Sequence, residues 1–147
     1  KINLGLYYED ELVSLMTFGK RKILKNSDWE LIRFCNKLNT TVIGGASKLF
    51  KHFIKNFEFD EIISYADRRW SVGNLYEKMG FDFVSISPPN YYYVINNTRE
   101  NRIKFQKHKL IKSGFNDKLT EHQIMINRGI YRIYDCGNLK YKHKKNP

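Results

Sequence analysis

The sequence predicts a mixed α+β domain, and three observations carry that prediction. Short apolar runs of strand length recur between turn residues, from Ile2 to Tyr134. One segment, 46–57, instead spaces its apolar residues as a helix does. The chain has 147 residues, 41% of them hydrophobic and 15% aromatic, which is enough to bury a core and too little for two independent ones.

The elements follow in order. Ile2–Tyr8 is a β-type run, Glu9-Asp10-Glu11 a polar turn and Leu12–Phe18 a second run, so the chain opens with a β-hairpin. A basic loop over 19–28 carries Lys20, Arg21, Lys22 and Lys25. Trp29–Cys35 reads as a third strand, with Trp29, Leu31 and Arg33 alternating against Glu30, Ile32 and Phe34. After Val42-Ile43 comes the tight pair Gly44-Gly45. The helix Ala46–Phe57 then sets Leu49, Phe50, Phe53, Ile54 and Phe57 on a core-facing stripe, with Lys48, Lys51 and Lys55 opposite. Glu61–Tyr65 is a strand. Asn74–Met79 is a short helix stopped by Gly80. Phe81–Ile86 is a strand broken by Pro88-Pro89, and Tyr91–Ile95 is extended again. Arg99–Lys112 is expected to be a basic helix and Ile130–Tyr134 a late strand. No internal repeat is visible, and the ordered part reads β-β-β-α-β-α-β-β, a sheet flanked by helices.

Charge divides the chain. The net charge is +11, of which residues 1–94 carry +2 and residues 95–147 carry +9. That division predicts two regions, a near-neutral core over 1–94 and a basic C-terminal extension over 95–147 that packs on or continues the same domain. A concentrated positive charge points to a polyanion, nucleic acid first among them. Cys35 and Cys136 lie far apart, and with His52, His108, His122 and His143 they make no metal-binding spacing. They are expected as buried, reduced thiols of a cytosolic protein. No apolar run reaches the length of a membrane span, and no signal-peptide pattern is present. A start at Lys1, already apolar within three residues, reads as a domain cut from a longer chain.

Several constellations have chemical readings. Asp67-Arg68-Arg69-Trp70-Ser71 follows a strand, where ligand loops gather in open sheets. Two arginines beside an indole suit phosphate forks and base stacking; a plain Asp67–arginine ion pair with Trp70 half buried is the structural alternative. Arg99, Arg102, Lys104, Lys107, His108, Lys109 and Lys112 form the strongest nucleic-acid signal, with Phe105, Leu110 and Ile111 as anchors. Such phosphate contacts position a protein without reading sequence. In Asn90-Tyr91-Tyr92-Tyr93-Val94, period-2 burial accounts for Tyr91 and Tyr93 without a ligand. Asp67, Glu77, Asp117, Glu121, His122 and Asp135 show no recognised nuclease spacing, so intrinsic cleavage is not expected.

Five pieces in order resemble the N-acyltransferases of the GNAT type: "GLYYEDELVSLMTFGK" their central hairpin, "WELIRFC" the next strand, "GGASKLFKHFIKNF" the acyl-CoA pyrophosphate loop and helix, "IISYAD" the following strand, and "NLYEKMGFDFV" the closing helix and strand. The resemblance covers residues 3–94. It implies a donor loop at Gly44, Gly45, Ala46 and Ser47, whose glycines let backbone N–H groups approach an anion, and it places Tyr76 where many acyltransferases keep a general acid. A glycine turn that merely packs a helix, and a core tyrosine beside Leu75 and Phe81, are the competing readings. The sequence also departs from the family: its Gln/Arg-x-x-Gly-x-Gly/Ala loop would begin at Thr41, which is neither basic nor an amide. The family's first strand and acceptor-pocket helices do not precede Ile2.

A second resemblance spans nearly the whole chain. "LNTTVIGGASKLFKHFI", "ISYADRRWSVGNLYEKMGF", "PNYYYV", "FQKHKL" and "YRIYDCGNLKY" together are similar to a C-terminal domain of phage-type homing endonucleases, and more distantly to Mom-type phage DNA-modification proteins. It implies a DNA-binding or targeting module acting in the cytoplasm of a phage-infected bacterium. Double-stranded DNA and an upstream nuclease domain of the same chain would be its partners; no membrane is involved, acyl transfer is lost and no cofactor is needed. The alternative is an active acyl- or group-transferase, possibly acting on a DNA base, with acetyl-CoA or a related donor.

Overall fold

A computed structural model describes residues 1–21 and 29–145. Most of the basic loop expected at 19–28, including Lys22 and Lys25, therefore lies outside the described residues. The chain forms two compact units. Unit 1 comprises 1–87 and 138–147, and unit 2 comprises 88–137. The division read from charge fell at 94/95; the compact units divide at 87/88 and again at 137/138. The four lysines Lys140, Lys142, Lys144 and Lys145 thereby return to unit 1.

Unit 1 is built on a six-stranded sheet in the order β1-β2-β3-β4-β9-β5. Its strands are β1 (Ile2–Tyr8), β2 (Glu11–Lys20), β3 (Trp29–Asn36), β4 (Glu61–Asp67), β5 (Asp82–Ile86) and β9 (Asn138–Lys144), joined by helices α1 (Gly45–Asn56) and α2 (Asn74–Lys78). All neighbours are antiparallel except β3 and β4. The opening hairpin turns at Glu9 and Asp10, both at positive φ, where an acidic turn residue is tolerated better than a branched one. The α1 stripe is buried as its spacing predicts, through Leu49, Phe50 and Phe53. Phe53 stacks on Phe18 with ring centroids 3.7 Å apart, and the Trp29 ring meets it edge-on. The Trp29 indole N–H is satisfied by the Glu58 carbonyl at 3.1 Å.

The alternation expected in β3 is overturned halfway along. Phe18 pairs with Leu31 but Thr17 pairs with Arg33, so Ile32 is an extra residue in a β-bulge. Past it the faces exchange: Phe34 packs on the core and Arg33 is exposed.

Unit 2 has a three-stranded sheet in the order β7-β6-β8, from β6 (Tyr91–Ile95), β7 (Thr98–Asn101) and β8 (Arg132–Tyr134). Helices α3 (Lys107–Lys112) and α4 (Glu121–Asn127) complete it. The single basic helix expected at 99–112 is not formed. That stretch is strand β7, a 3-10 turn over Arg102–Phe105 and then the short α3. Ile103, Phe105 and Leu110 make no common helical stripe, and the Asn101 side chain accepts from Ile103 N at 2.9 Å, starting the turn there. Helix α4 had no counterpart in the sequence reading, although Thr120 and Gln123 form a full capping box.

A second small core of Tyr93, Leu110, Ile124 and Met125 is present, so the expectation that the chain supports only one core is also corrected. Cys35 and Cys136 are reduced thiols as expected, but both are exposed, which corrects their expected burial. Cys35 lies beyond the β3 bulge and Cys136 in the turn between β8 and β9. No helix among the described residues is long and apolar enough to cross a membrane.

Candidate functional site

Strands β3 and β4 are paired only from Trp29–Leu31 to Ile62–Ser64. Both run on, β3 to Asn36 along β2 and β4 to Asp67 along β9. Beyond Leu31 and Ser64 the two halves of the sheet therefore part: 32–36 and 65–67 no longer pair with each other, and the Tyr65 carbonyl instead accepts from the Tyr76 hydroxyl and the Asp67 carbonyl from Trp70 N and Ser71 N. Two local features set the parting point. The bulge at Ile32 follows β3's last paired residue, and the buried Ser64 hydroxyl donates to the Leu31 carbonyl at 2.7 Å, closing the vertex. Gaps at the carboxyl ends of parallel strands are where open α/β sheets take ligands.

The loop from β3 delivers the chain to the start of α1. Gly44 occupies the left-handed region (φ 70°, ψ 2°), and a Cβ placed on it would meet nothing within 4 Å, so the space before the helix is open. Gly45 serves close packing instead, since a Cβ there would lie 3.0 Å from Val42 Cγ1 and 3.2 Å from Ser14 Oγ. The first helical i to i−4 bond runs from Lys48 N to Gly44 O at 2.9 Å. The amides of Ala46 and Ser47 precede it. No side chain caps this end and no acidic residue sits in its first turn. An uncapped twelve-residue helix start of this kind has the partial positive charge and the donors that hold an anion. Beside the loop, Tyr8, Val13, Thr40, Thr41, Val42 and Ile43 line a groove of about 400 Å³.

Tyr76 joins its two competing readings. Its ring is packed, stacked on Tyr141 at 5.0 Å and edge-on to Phe81 at 5.7 Å. Its hydroxyl donates to the Tyr65 carbonyl at 3.3 Å, on the first β4 residue beyond the vertex. The phenol is thus held at the wall of the gap. Gly73 makes this possible: at φ 90°, a Cβ on it would lie 1.8 Å from the Tyr141 hydroxyl. Burial, and then the Glu77 carboxylate 3.5 Å away, push the Tyr141 phenol above its ordinary pKa.

The other sequence-predicted residues fall into two groups. Arg68, Arg69 and Trp70 follow β4 in unit 1. Arg69 is engaged by Asp67, with Nη2 to Oδ2 at 2.6 Å, which realises the ion-pair alternative. Trp70, however, is 84% exposed, not half buried. Arg99, Arg102, Lys104, Lys107, His108, Lys109 and Lys112 all belong to unit 2 and are exposed. Arg99 lies over the Tyr92 ring at 4.4 Å and Arg102 over Tyr91 at 5.3 Å. Lys104 pairs with Glu100, and Lys109 donates to the Ile103 carbonyl at 2.7 Å. Among the described residues no group of three or more His, Cys, Asp or Glu side chains is placed to hold a metal. Asp135 accepts from Asn90 N and Gly137 N, and Glu121 from two tyrosines.

Sequence reasoning missed Ser64, Tyr65 and Gly73. Ser64 had a signal, a hydroxyl inside the apolar run Ile62-Ile63; Tyr65 and Gly73 had none, because their roles depend on partners far along the chain.

No protein-family model matches this sequence, and no curated protein is significantly similar to it. Solved structures are similar in fold. A GNAT-family acetyltransferase from Bacillus cereus ATCC 10987 superposes with a TM-score of 0.54 at 11% identity, covering 99% of this chain and 71% of that one. A Bacillus subtilis acetyltransferase, solved in complex with CoA, gives 0.53 at 14% identity over 95% and 74%. The chain has a GNAT-like acyltransferase fold, a mixed sheet flanked by helices, as its sequence predicts.

Proposed function

We propose that unit 1 binds a coenzyme A-type acyl donor and transfers its acyl group. The observation that carries this is the uncapped, acid-free start of α1, which the loop after β3, the strand that parts from β4, leads into. The amides of Ala46 and Ser47 are the donors for a pyrophosphate, and Gly44 leaves room for it. The β3 edge beyond Leu31, which pairs with no described strand on the β4 side, suits an extended arm bearing amides. The acceptor nucleophile forms its bond to the thioester carbonyl carbon and the carbon–sulfur bond breaks; the Tyr76 hydroxyl gives its proton to the departing thiolate, and the proton released by the acylated acceptor restores the phenol. Thr41 leaves the loop without the side-chain donor of the acyltransferase pattern, so affinity rests on backbone groups and is expected to be modest, with Kd about 100 μM.

Calorimetry with CoA tests this on wild type and Ser47→Asp. A carboxylate in the first turn favours the helix but repels a phosphate. Ser47→Asp should therefore keep or raise stability while weakening CoA at least about 10-fold. Absence of CoA binding to wild type at about 1 mM would overturn the donor reading.

A second reading is favoured by the composition of unit 2, where 9 Lys+Arg stand against 4 Asp+Glu. In it the chain is a DNA-binding or targeting module of the kind attached to phage-type homing endonucleases, holding duplex phosphates through Lys107, Lys112 and their neighbours, with acyl transfer lost. Such binding is salt-steep, falling with log salt by about 0.9 per phosphate neutralised. A salt titration on one duplex checks it, and salt-insensitive or absent binding would remove it.

A further inference from the structure

We infer that the outward face of the unit 2 sheet binds single-stranded nucleic acid, with the Arg99 guanidinium and the Tyr131 ring stacking on unpaired bases. The inference rests on the polyanion reading of unit 2 and deepens it from net charge to one surface and one class of ligand.

The faces of this sheet differ in kind. Tyr91 and Tyr93 point inward, where both hydroxyls reach Glu121 on α4. By strand alternation Tyr92 and Val94 point the other way. Their register partners complete two rows. Ile133, Tyr92 and Asn101 form the first. Val94 pairs with Arg99 on one side, and on the other its N–H donates to the Tyr131 carbonyl, which continues the register and forms the second. Tyr131 is 66% exposed and Ile133 43%, with no packing partner in the small core of unit 2. Neither helix of unit 2 is needed to place these residues; the sheet alone holds them.

Charge is sorted between the faces too. Glu100 pairs with Tyr93 on the inner face, and Glu121 is bonded to the inner tyrosines. Asp117 lies in the loop before α4, and Asp135 accepts backbone N–H groups beside Pro88-Pro89. The outward face therefore holds no carboxylate among the described residues. Its one cation among the described residues is Arg99, exposed and with Cζ 4.4 Å from the Tyr92 ring centroid, a cation–π contact that holds the guanidinium at this face.

A planar cation beside an aromatic ring, an exposed tyrosine beyond Val94 in the same row and an exposed amide at Asn101 match what an unpaired nucleotide offers. The base face stacks, the phosphate takes guanidinium N–H donors, and the base edge meets the amide. Bases within a duplex cover each other's faces, so a flat side-chain array has nothing to stack on. Strands of three to five residues give room for about two bases.

The test measures binding of the whole chain to a fluorescent dT oligonucleotide, to a duplex of equal charge and to inorganic polyphosphate, across a salt series. The variants are Arg99→Lys, which keeps the charge and loses the plane, and Tyr131→Ala, at an exposed position. The expected result is tighter binding of the oligonucleotide than of duplex or polyphosphate. Each variant should weaken it about 10-fold with an unchanged salt slope. Far-ultraviolet circular dichroism checks that both variants fold. Equal affinity for all three polymers, with both variants unchanged, would overturn the stacking face and leave the polyanion reading standing. Binding of none of the three at low salt would overturn both.

Discussion

The two units hold themselves together by different chemistry. Unit 1 is closed by rings and aliphatic side chains: Phe18 on Phe53, Trp29 edge-on to Phe53, and Phe50 tilted on Phe81 at 5.0 Å. Its buried hydroxyls are secondary, each with one partner: Ser14 to Asn36, Thr17 to Asn3 and Ser64 to Leu31 O. At the centre of unit 2 stands a polar cluster. Glu121 Oε1 accepts from Tyr91 at 2.8 Å and from Tyr93 at 2.9 Å, while Arg132 Nε donates to the Tyr93 hydroxyl at 3.2 Å. The Arg132 guanidinium also lies 4.0 Å from the Tyr91 ring centroid. A unit of about 50 residues buries too small a fraction of its surface to rely on apolar area alone. Its stability then depends on directional contacts that a single substitution removes together, whereas unit 1 spreads its stability over many contacts and is most vulnerable where a backbone position admits no side chain.

The largest expected effect tests that vulnerability. Gly73→Ala must place a methyl 1.8 Å from the Tyr141 hydroxyl oxygen while holding φ near 90°. The overpacking and the strained backbone together should cost about 3 kcal/mol or more. Chemical denaturation followed by Trp29 fluorescence should show unit 1 destabilised, with the near-ultraviolet signal of the Tyr76–Tyr141 stack lost. A change below about 1 kcal/mol would mean that Tyr141 readily moves aside, and that the Tyr76 hydroxyl is not fixed by this stack.

The counterpart in unit 2 is Glu121→Ala. It leaves two phenols and a mostly covered guanidinium without their shared acceptor and should cost about 2–3 kcal/mol. Hydrogen exchange read unit by unit should show protection lost in 88–137 and kept in α1 and β2. Equal loss in both units would show that they unfold as one.

A smaller effect appears at high pH and is assigned by substitution. Burial first, and the Glu121 carboxylate second, push the Tyr93 phenol up to about 12, against 10.0 for an ordinary tyrosine. The unfolded chain therefore releases this proton first as pH rises. The associated stability is fully present below about pH 10 and is lost as pH climbs toward 12, with about 1 kcal/mol of it gone by about pH 11. Thermal unfolding from about pH 9 to about pH 11 should show a decline that Tyr93→Phe flattens. An identical decline in the variant would assign it to other groups.

The unequal legibility of the two units in the sequence has the same physical origin. Unit 1 was readable because its signals are local: a period-3.6 stripe in 46–57, a turn at Glu9-Asp10 and a stop at Gly80. Gly44–Ser47 and Tyr76 could be named from residue order. The parting of β3 from β4 could not, since it depends on a bulge defined only by the pairing of β2 with β3. In unit 2 the basic run 99–112 suggested a helix through charge, but charge has no period, and Asn101 turns the chain. The strand β9 hid for another reason. Its alternation of Leu139, Tyr141 and His143 with Lys140, Lys142 and Lys144 resembles a solvated basic tail until its strand partners, 53 or more residues upstream, are known.

The smallest effect concerns whether the charge of unit 2 holds the fold or faces a ligand. Lys104 pairs with Glu100, at i and i+4, but its side chain is 63% exposed. An exposed pair of this kind is worth about 0–0.5 kcal/mol, because solvent screens the attraction and two flexible side chains lose entropy in making it. Lys104→Ala should therefore leave the denaturation midpoint of unit 2 nearly unchanged, in contrast to Glu121→Ala in the same unit. On a polyanion the same substitution should flatten the log K against log salt slope by about 0.9, if that lysine meets a phosphate when a ligand competes with Glu100. The paired measurement assigns the residue: a stability loss above about 1 kcal/mol with no change in slope would make Lys104 a structural contact, and the reverse would make it part of the ligand-facing charge.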